Sequence, residues 1–152
     1  MKILMVCLGN ICRSPLAEGI LKAKVSSDIY VDSAGTAGYH VGELPDKRSV
    51  MVAQKYGIDI TDQRSRKFSV ADFDHFDRIY AMDESNYQTI VSLARNKEEA
   101  DKVTMILQEL FPKEKLSVPD PYYGGDQGFE NVYNMLDEAC EIIASKINTN
   151  ER

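Results

Sequence analysis

The sequence predicts an α/β fold of three layers: a four-stranded parallel sheet, helices on both of its faces, and a phosphate-binding loop after the first strand. Three observations carry that expectation. Residues 2–7, Lys-Ile-Leu-Met-Val-Cys, form a near-continuous apolar run, as a strand buried on both faces does. Short apolar runs then alternate along the chain with stretches of helical spacing. Between the first run and the first helix lies Cys7-Leu8-Gly9-Asn10-Ile11-Cys12-Arg13-Ser14, a bend that brings a thiol and a guanidinium together.

The elements follow in order. Ser14-Pro15 supplies a helix N-cap with proline at the first helical position, and Leu16, Ile20 and Ala23 continue at helical spacing. Residues 29–33 read as a second strand, stopped by Ala34-Gly35. A second helix is expected from Pro45 to Tyr56, closed by Gly57. Ser69-Val70-Ala71-Asp72 resembles a capping box opening a short helix. Residues 78–82 form a third strand, and Asp83 caps a helix reaching about Arg95. Residues 103–107 are the fourth strand, and residues 112–128 a loop rich in Pro, Tyr and Gly. The last helix carries an apolar stripe of Phe129, Val132, Leu136, Cys140, Ile143 and Ile147.

A chain of 152 residues with 43% hydrophobic and 28% charged residues suits one globular domain, and no repeat, low-complexity segment or linker divides it. No apolar run approaches membrane-spanning length. The apolar start meets Gly9-Asn10 and Arg13 too early for a secretory leader, so it reads as a strand. Three cysteines at positions 7, 12 and 140 do not make a secreted disulfide framework, which points to a reducing cytoplasm. A net charge of -6 argues against a nucleic-acid partner, since such binders displace counterions with Lys and Arg. Lys22 and Lys24 read as a solvated face.

The chemistry concentrates in residues 7–14. A loop entering a helix N-terminus turns successive N–H groups inward and forms an anion site reinforced by the helix dipole. Gly9 permits close backbone approach. Arg13 offers a planar fork that matches two phosphate oxygens. The same positive field favours the thiolate of Cys7, the reactive form of sulfur, and Ser14 can donate its hydroxyl to it. These parts suit in-line attack by Cys7 on phosphorus, with the amides and Arg13 holding the equatorial oxygens. No cofactor and no metal is called for, because the cradle supplies the positive charge, and His40 and His75 lie far apart in sequence.

Expelling a phenolate also needs a proton donor. Asp120 is the candidate: Pro121 biases it toward extended backbone, and apolar neighbours with a dianionic ligand would keep its proton on. The same carboxylate would then deprotonate the water that attacks the phosphorylated sulfur.

With those residues in view, the sequence resembles the low-molecular-weight protein tyrosine phosphatases, whose signature is a Cys-x5-Arg-Ser loop near the N-terminus. The resemblance covers Cys7 to Pro15, Asp32-Ser33-Ala34-Gly35-Thr36, Ala81-Met82-Asp83-Glu84-Ser85-Asn86 and Asp120-Pro121-Tyr122-Tyr123-Gly124, so residues 1–152 are expected to form a single domain of that kind. It implies phosphotyrosine proteins or small aryl phosphates as partners and a monomer. It further implies that Asn10 and Ser33 brace the loop, that Ser14 steadies the thiolate, and that Asp32 and Arg66 form an ion pair nearby. Leu8, Ile11, Tyr39, Tyr122 and Tyr123 would wall a slot for the substrate ring; which of the last two tyrosines faces the ligand stays open. Cys12 matches a second family cysteine able to form a reversible disulfide with the nucleophile, or else fills a tight loop. Cys140 reads as core. Asp62 departs from the pattern, since many relatives carry histidine there.

Three other readings use a similar loop. A thioredoxin-coupled arsenate reductase needs two further relay cysteines, and only Cys140 lies downstream. A phosphocysteine carrier domain of a sugar phosphotransferase system must keep its phosphocysteine and has no use for Asp120. A non-catalytic phosphate-binding module would not need a thiol.

Overall fold

The apolar run at the start of the chain becomes β1 (Lys2–Cys7), and its alternation decides what lies on each side of the sheet. Ile3, Met5 and Cys7 join one buried cluster, Leu4 and Val6 the other. The computed structural model describes residues 1–121 and 125–150. After β1 the chain runs through α1 (Arg13–Lys24), β2 (Tyr30–Gly35), α2 (Lys47–Lys55), α3 (Asp72–His75), β3 (Arg78–Ala81), α4 (Glu84–Leu93), α5 (Lys97–Asp101), β4 (Val103–Met105), a 3-10 turn (Ile106–Glu109) and α6 (Gly125–Asn150).

The four strands are parallel in the order β2-β1-β3-β4. Helices α1, α2 and α6 cover the face of Ile3 and Met5; Phe73 of α3 and Ile90 of α4 cover the face of Leu4 and Val6. The α/β expectation of a parallel sheet between helical layers therefore holds. Strand order turns back at β1, and a ligand site in such sheets lies outside the carboxyl end of the strand where that happens. The bend after Cys7 occupies that end. All six residues of the expected α6 stripe are at most 1% exposed, so the 3.6-residue period located the helix that closes the larger core.

Several boundaries differ from the sequence reading. Ser14 is not the N-cap: α1 begins at Arg13 with Cys12 in the cap position, and Pro15 sits inside the first turn, where no N–H has an intrahelical partner to lose. Ala34-Gly35 does not stop β2, because those residues pair in register with Val6 and Cys7. The second helix spans less than expected, with Asp46 accepting from the Arg48 N–H as its cap, and Gly57 follows with φ of 80°. Only half of the capping box at Ser69 forms, the Asp72 carboxylate accepting from the Ser69 N–H. The fourth strand ends at Met105, where Gln108 folds back to accept the Met105 N–H and starts the 3-10 turn. Helix α5, capped by Asn96, was not expected, and α6 begins before the expected end of the loop.

Candidate active site

The carbonyls of the bend account for its shape. Cys7 O accepts from Thr36 N, Leu8 O from Ala37 N and Ile11 O from Asp46 N, at 2.8–2.9 Å. Gly9 O accepts from Ser65 Oγ at 3.0 Å and Cys12 O from Ser49 Oγ at 3.3 Å. Segments surrounding the loop thus pull its carbonyls outward, and a chain held that way turns its N–H groups toward the centre, at the N-terminus of α1. Asn10 sits at φ of 57°, the left-handed region that asparagine tolerates better than most residues.

The side chain of Asn10 ties this conformation to the sheet. Its Nδ2 donates to Ser14 Oγ at 2.8 Å and to Ser33 Oγ at 2.9 Å, and its Oδ1 accepts from the Arg66 N–H at 3.0 Å. Ser14 Oγ lies 3.0 Å from Cys7 Sγ. Of the two uses expected of the Ser14 hydroxyl, capping the helix and meeting the sulfur, the structure shows the second. Arg66 Nε donates to Asp32 at 3.1 Å, and its two terminal nitrogens reach both oxygens of Asp72.

Arg13 is 4% exposed beside the loop. Its Nη1 donates to Asp83 Oδ2 at 2.8 Å and to the Val118 carbonyl at 2.9 Å. Val118 is itself buried and donates its N–H to Met82 O, so the segment carrying Asp120 is anchored two residues upstream. One guanidinium thereby links the end of β3, the cap of α4 and the approach to Asp120.

Cys7, Arg13 and Asp120 line a single cleft of about 230 Å³ together with Leu8, Tyr39 and His40. Asp120 is exposed where it lines this cleft. Tyr39 is 75% exposed and Leu8 44%, so both stand at the rim of the cleft. A Cβ added at Gly9 would lie 3.0 Å from His40 Cδ2, so the ring would have to shift to admit it. Cys12 also borders the cleft, but burial above all, then the charges of Asp46, Cys7 and Asp120, pushes its thiol up to about 12. A wider cleft of about 430 Å³ elsewhere, with Lys102, Lys146, Asp101 and Glu109, carries mixed charge and no cysteine.

Tyr122 and Tyr123 lie outside the described residues. Asp62 is exposed; its neighbour Gln63 is the residue that turns inward, donating from Nε2 to Pro15 O at 3.0 Å. Three participants escaped the sequence reading. Asp83 does more than cap α4, His40 borders the cleft, and Glu18 is a buried carboxylate on α1. Glu18 is 3% exposed and accepts from Ser33 Oγ at 2.7 Å. Among the described residues no group of His, Cys, Asp and Glu is arranged to hold a metal ion.

A parallel α/β sheet with a cysteine–arginine anion cradle after its first strand defines a class of phosphate-handling proteins. Residues 2–152 match the model of the low molecular weight phosphotyrosine protein phosphatases. A low molecular weight phosphotyrosine protein phosphatase of Schizosaccharomyces pombe is 41% identical over 141 residues, covering 89% of each chain. A protein tyrosine phosphatase of Entamoeba histolytica, solved with Hepes in its active site, superposes with a TM-score of 0.91 at 36% identity over 100% of this chain and 99% of that one. A Drosophila arginine phosphatase superposes with a TM-score of 0.89, also at 36% identity, over 97% and 98% of the two chains. The chain belongs to the low molecular weight phosphotyrosine protein phosphatase family and is a hydrolase.

Proposed function

We propose that the protein hydrolyses phosphotyrosine and small aryl phosphates through a phosphocysteine on Cys7. The observation that carries this reading is the meeting of Cys7, Arg13 and Asp120 in one cleft, from positions spread over more than a hundred residues. Cys7 Sγ attacks phosphorus in line; Arg13 and the inward N–H groups hold the three equatorial oxygens over which the charge of the transition state is spread. Asp120 protonates the departing phenolate oxygen, then takes a proton from the water that cleaves the S–P bond and releases inorganic phosphate. Ser14, Asn10 and Ser33 hold the loop, with Asp32 and Arg66 behind them, and Leu8, Ile11 and Tyr39 meet the aryl ring. Residues 1–152 act as one phosphatase domain, a monomer in a reducing cytoplasm that uses no cofactor.

The reading disfavours the arsenate reductase alternative on the position of Cys140. That thiol is fully buried against α1, and burial pushes it well above the usual thiol range, so it cannot pass a disulfide outward. Turnover of phosphotyrosine, phosphoarginine and thioredoxin-coupled arsenate should be measured side by side. Phosphotyrosine is expected to lead, Cys7→Ser to abolish its hydrolysis, and Asp120→Ala to lower it by ~10²–10⁴. Full turnover in Cys7→Ser would end the phosphocysteine reading, and a faster reaction with phosphoarginine would move the substrate class.

A further inference from the structure

Asp120 is exposed, so burial does not fix where its carboxyl group points, and the backbone on either side must share that task. Two residues upstream, buried Val118 donates its N–H to Met82 O and accepts from Arg13 Nη1 at its carbonyl. Downstream, Pro121 is buried, and a Cβ added at Gly128 would lie 3.5 Å from Pro121 O and 3.7 Å from Pro121 Cα. The first turn of α6 therefore supports the residue that follows the acid. Whatever sets α6 against the phosphate loop also sets the second end of this short span.

Helix α2 makes that connection. At its start the Asp46 N–H donates to Ile11 O at 2.8 Å, and Ser49 Oγ donates to Cys12 O at 3.3 Å; both carbonyls belong to the loop. Arg48, between them in sequence, reaches α6: its guanidinium lies over the ring of Phe129, 4.5 Å from the centroid. Phe129 is 1% exposed and directly follows Gly128. The Asp46 carboxylate meets the same guanidinium, Oδ1 accepting from Nε at 3.2 Å and Oδ2 from Nη2 at 3.3 Å. A guanidinium is planar and donates within its own plane, so it can bind a carboxylate edge-on and still lay its face on an aromatic ring. An apolar side chain of the same length does neither. One side chain thus joins the cap that grips the loop to the ring near the start of α6.

We propose that Arg48 is a positioning residue for Asp120: held by Asp46 and laid on Phe129, it sets the start of α6, and so the acid-bearing segment, against the phosphate loop. Arg13 ties the upstream end of that segment and Arg48 the downstream end. The inference rests on Asp120 being the proton donor. The charge of Arg48 is also felt in the loop, where it opposes the rise of the Cys12 thiol, so placement of the acid has to be separated from an effect on sulfur.

The leaving group separates them. Phenyl phosphate expels a basic phenolate and needs the proton of the acid; dinitrophenyl phosphate expels a stable anion and does not, while both need the sulfur anion and Arg13. The quantity to measure is kcat/KM, which covers the steps up to release of the phenol. Arg48→Met, which keeps an apolar stem on the ring, is expected to lower it about tenfold for phenyl phosphate and less than about twofold for dinitrophenyl phosphate. Asp120→Ala should show the same asymmetry, larger. Added to Asp120→Ala, Arg48→Met should cost less than about twofold more on phenyl phosphate, because no acid is left to misplace. Lys55→Ala breaks an exposed pair with Glu130 between the same two helices and is expected to leave both rates alone. Equal slowing of both substrates by Arg48→Met, unchanged rates, an additive loss in the double variant, or the same asymmetry from Lys55→Ala would overturn the proposal. If Arg48→Met does not fold, Phe129→Leu removes the ring while keeping the core apolar and must show the asymmetry; its absence overturns the proposal equally. Asp120→Ala slowing both substrates alike would instead strike the proton-donor reading, and this inference with it, so the two failures stay distinct.

Discussion

Both oxygens of Asp83 are engaged: Oδ1 accepts the Asn86 N–H that caps α4, and Oδ2 accepts from Arg13 Nη1. The two roles can be separated, because asparagine caps a helix about as well as aspartate but brings no charge. Asp83→Asn is expected to keep α4 and lower turnover between about tenfold and a hundredfold, through misplacement of the guanidinium fork. Asp83→Ala should lose the cap as well, about 1 kcal/mol more, seen as a lower Tm than that of the asparagine variant. Unchanged turnover in Asp83→Asn would mean that Val118 O alone orients Arg13; equal Tm values would remove the cap. The pairing was not legible in sequence because it spans 70 residues, while the cap is a local pattern that any helix start displays. That Cys7, Arg13 and Asp120 would line one cleft was legible for the opposite reason: each sits in a short motif whose expected chemistry is incomplete without the others.

At the scale of elements, alternation and helical period found the strands and the long helices but not where they end. The end of β2 shows why. Ala34-Gly35 looks like a stop, since glycine weakens a strand, yet Gly35 pairs with Cys7 and passes directly beneath the loop. A Cβ there would lie 2.8 Å from Leu8 O, 3.0 Å from Gly9 C and 3.1 Å from Ala37 O, all of them backbone atoms. The glycine answers a close approach between distant segments, which no local pattern records. The short α5 and the 3-10 turn after β4 were missed likewise, since a side chain folding back on the backbone, as Gln108 does at Met105, decides them. Gly35→Ala is expected to displace the loop, lowering kcat/KM at least about tenfold and stability by about 1–3 kcal/mol. Gly57→Ala makes the control: with φ of 80° and nothing within 4 Å, it should cost about 1–2 kcal/mol of backbone strain and leave turnover alone. Full turnover in Gly35→Ala would show that the loop can shift without consequence.

Across the whole molecule, burial sets how stability responds to alkali. Burial, aided by the charges of Asp46, Cys7 and Asp120, moves the Cys12 thiol from 9.0 to about 12; burial also raises the Cys140 thiol, and burial with the charge of Glu109 moves the Tyr80 phenol from 10.0 to about 12. For each, the unfolded chain loses its proton first as pH rises. Lys22 is raised above 10.5 although burial pulls it down, because the bond to Glu18 and its charge outweigh burial, so the folded chain keeps that proton longer. In every case the folded state binds more protons than the unfolded one over the window, and stability must therefore fall as pH rises through it. Denaturant unfolding is expected to give a level free energy up to about pH 9, the ordinary thiol value, and a decline beyond it. Cys140 is the cleanest single contributor, since it is fully buried in the stripe of α6 and apart from the loop of residues 7–14. Cys140→Ala removes at most one titrating proton, so the decline between pH 9.5 and 10.5 should become shallower by up to about 1.4 kcal/mol per pH unit. A slope identical to that of the parent protein would mean that the thiol ionises as readily inside the fold as outside, which a fully apolar setting forbids.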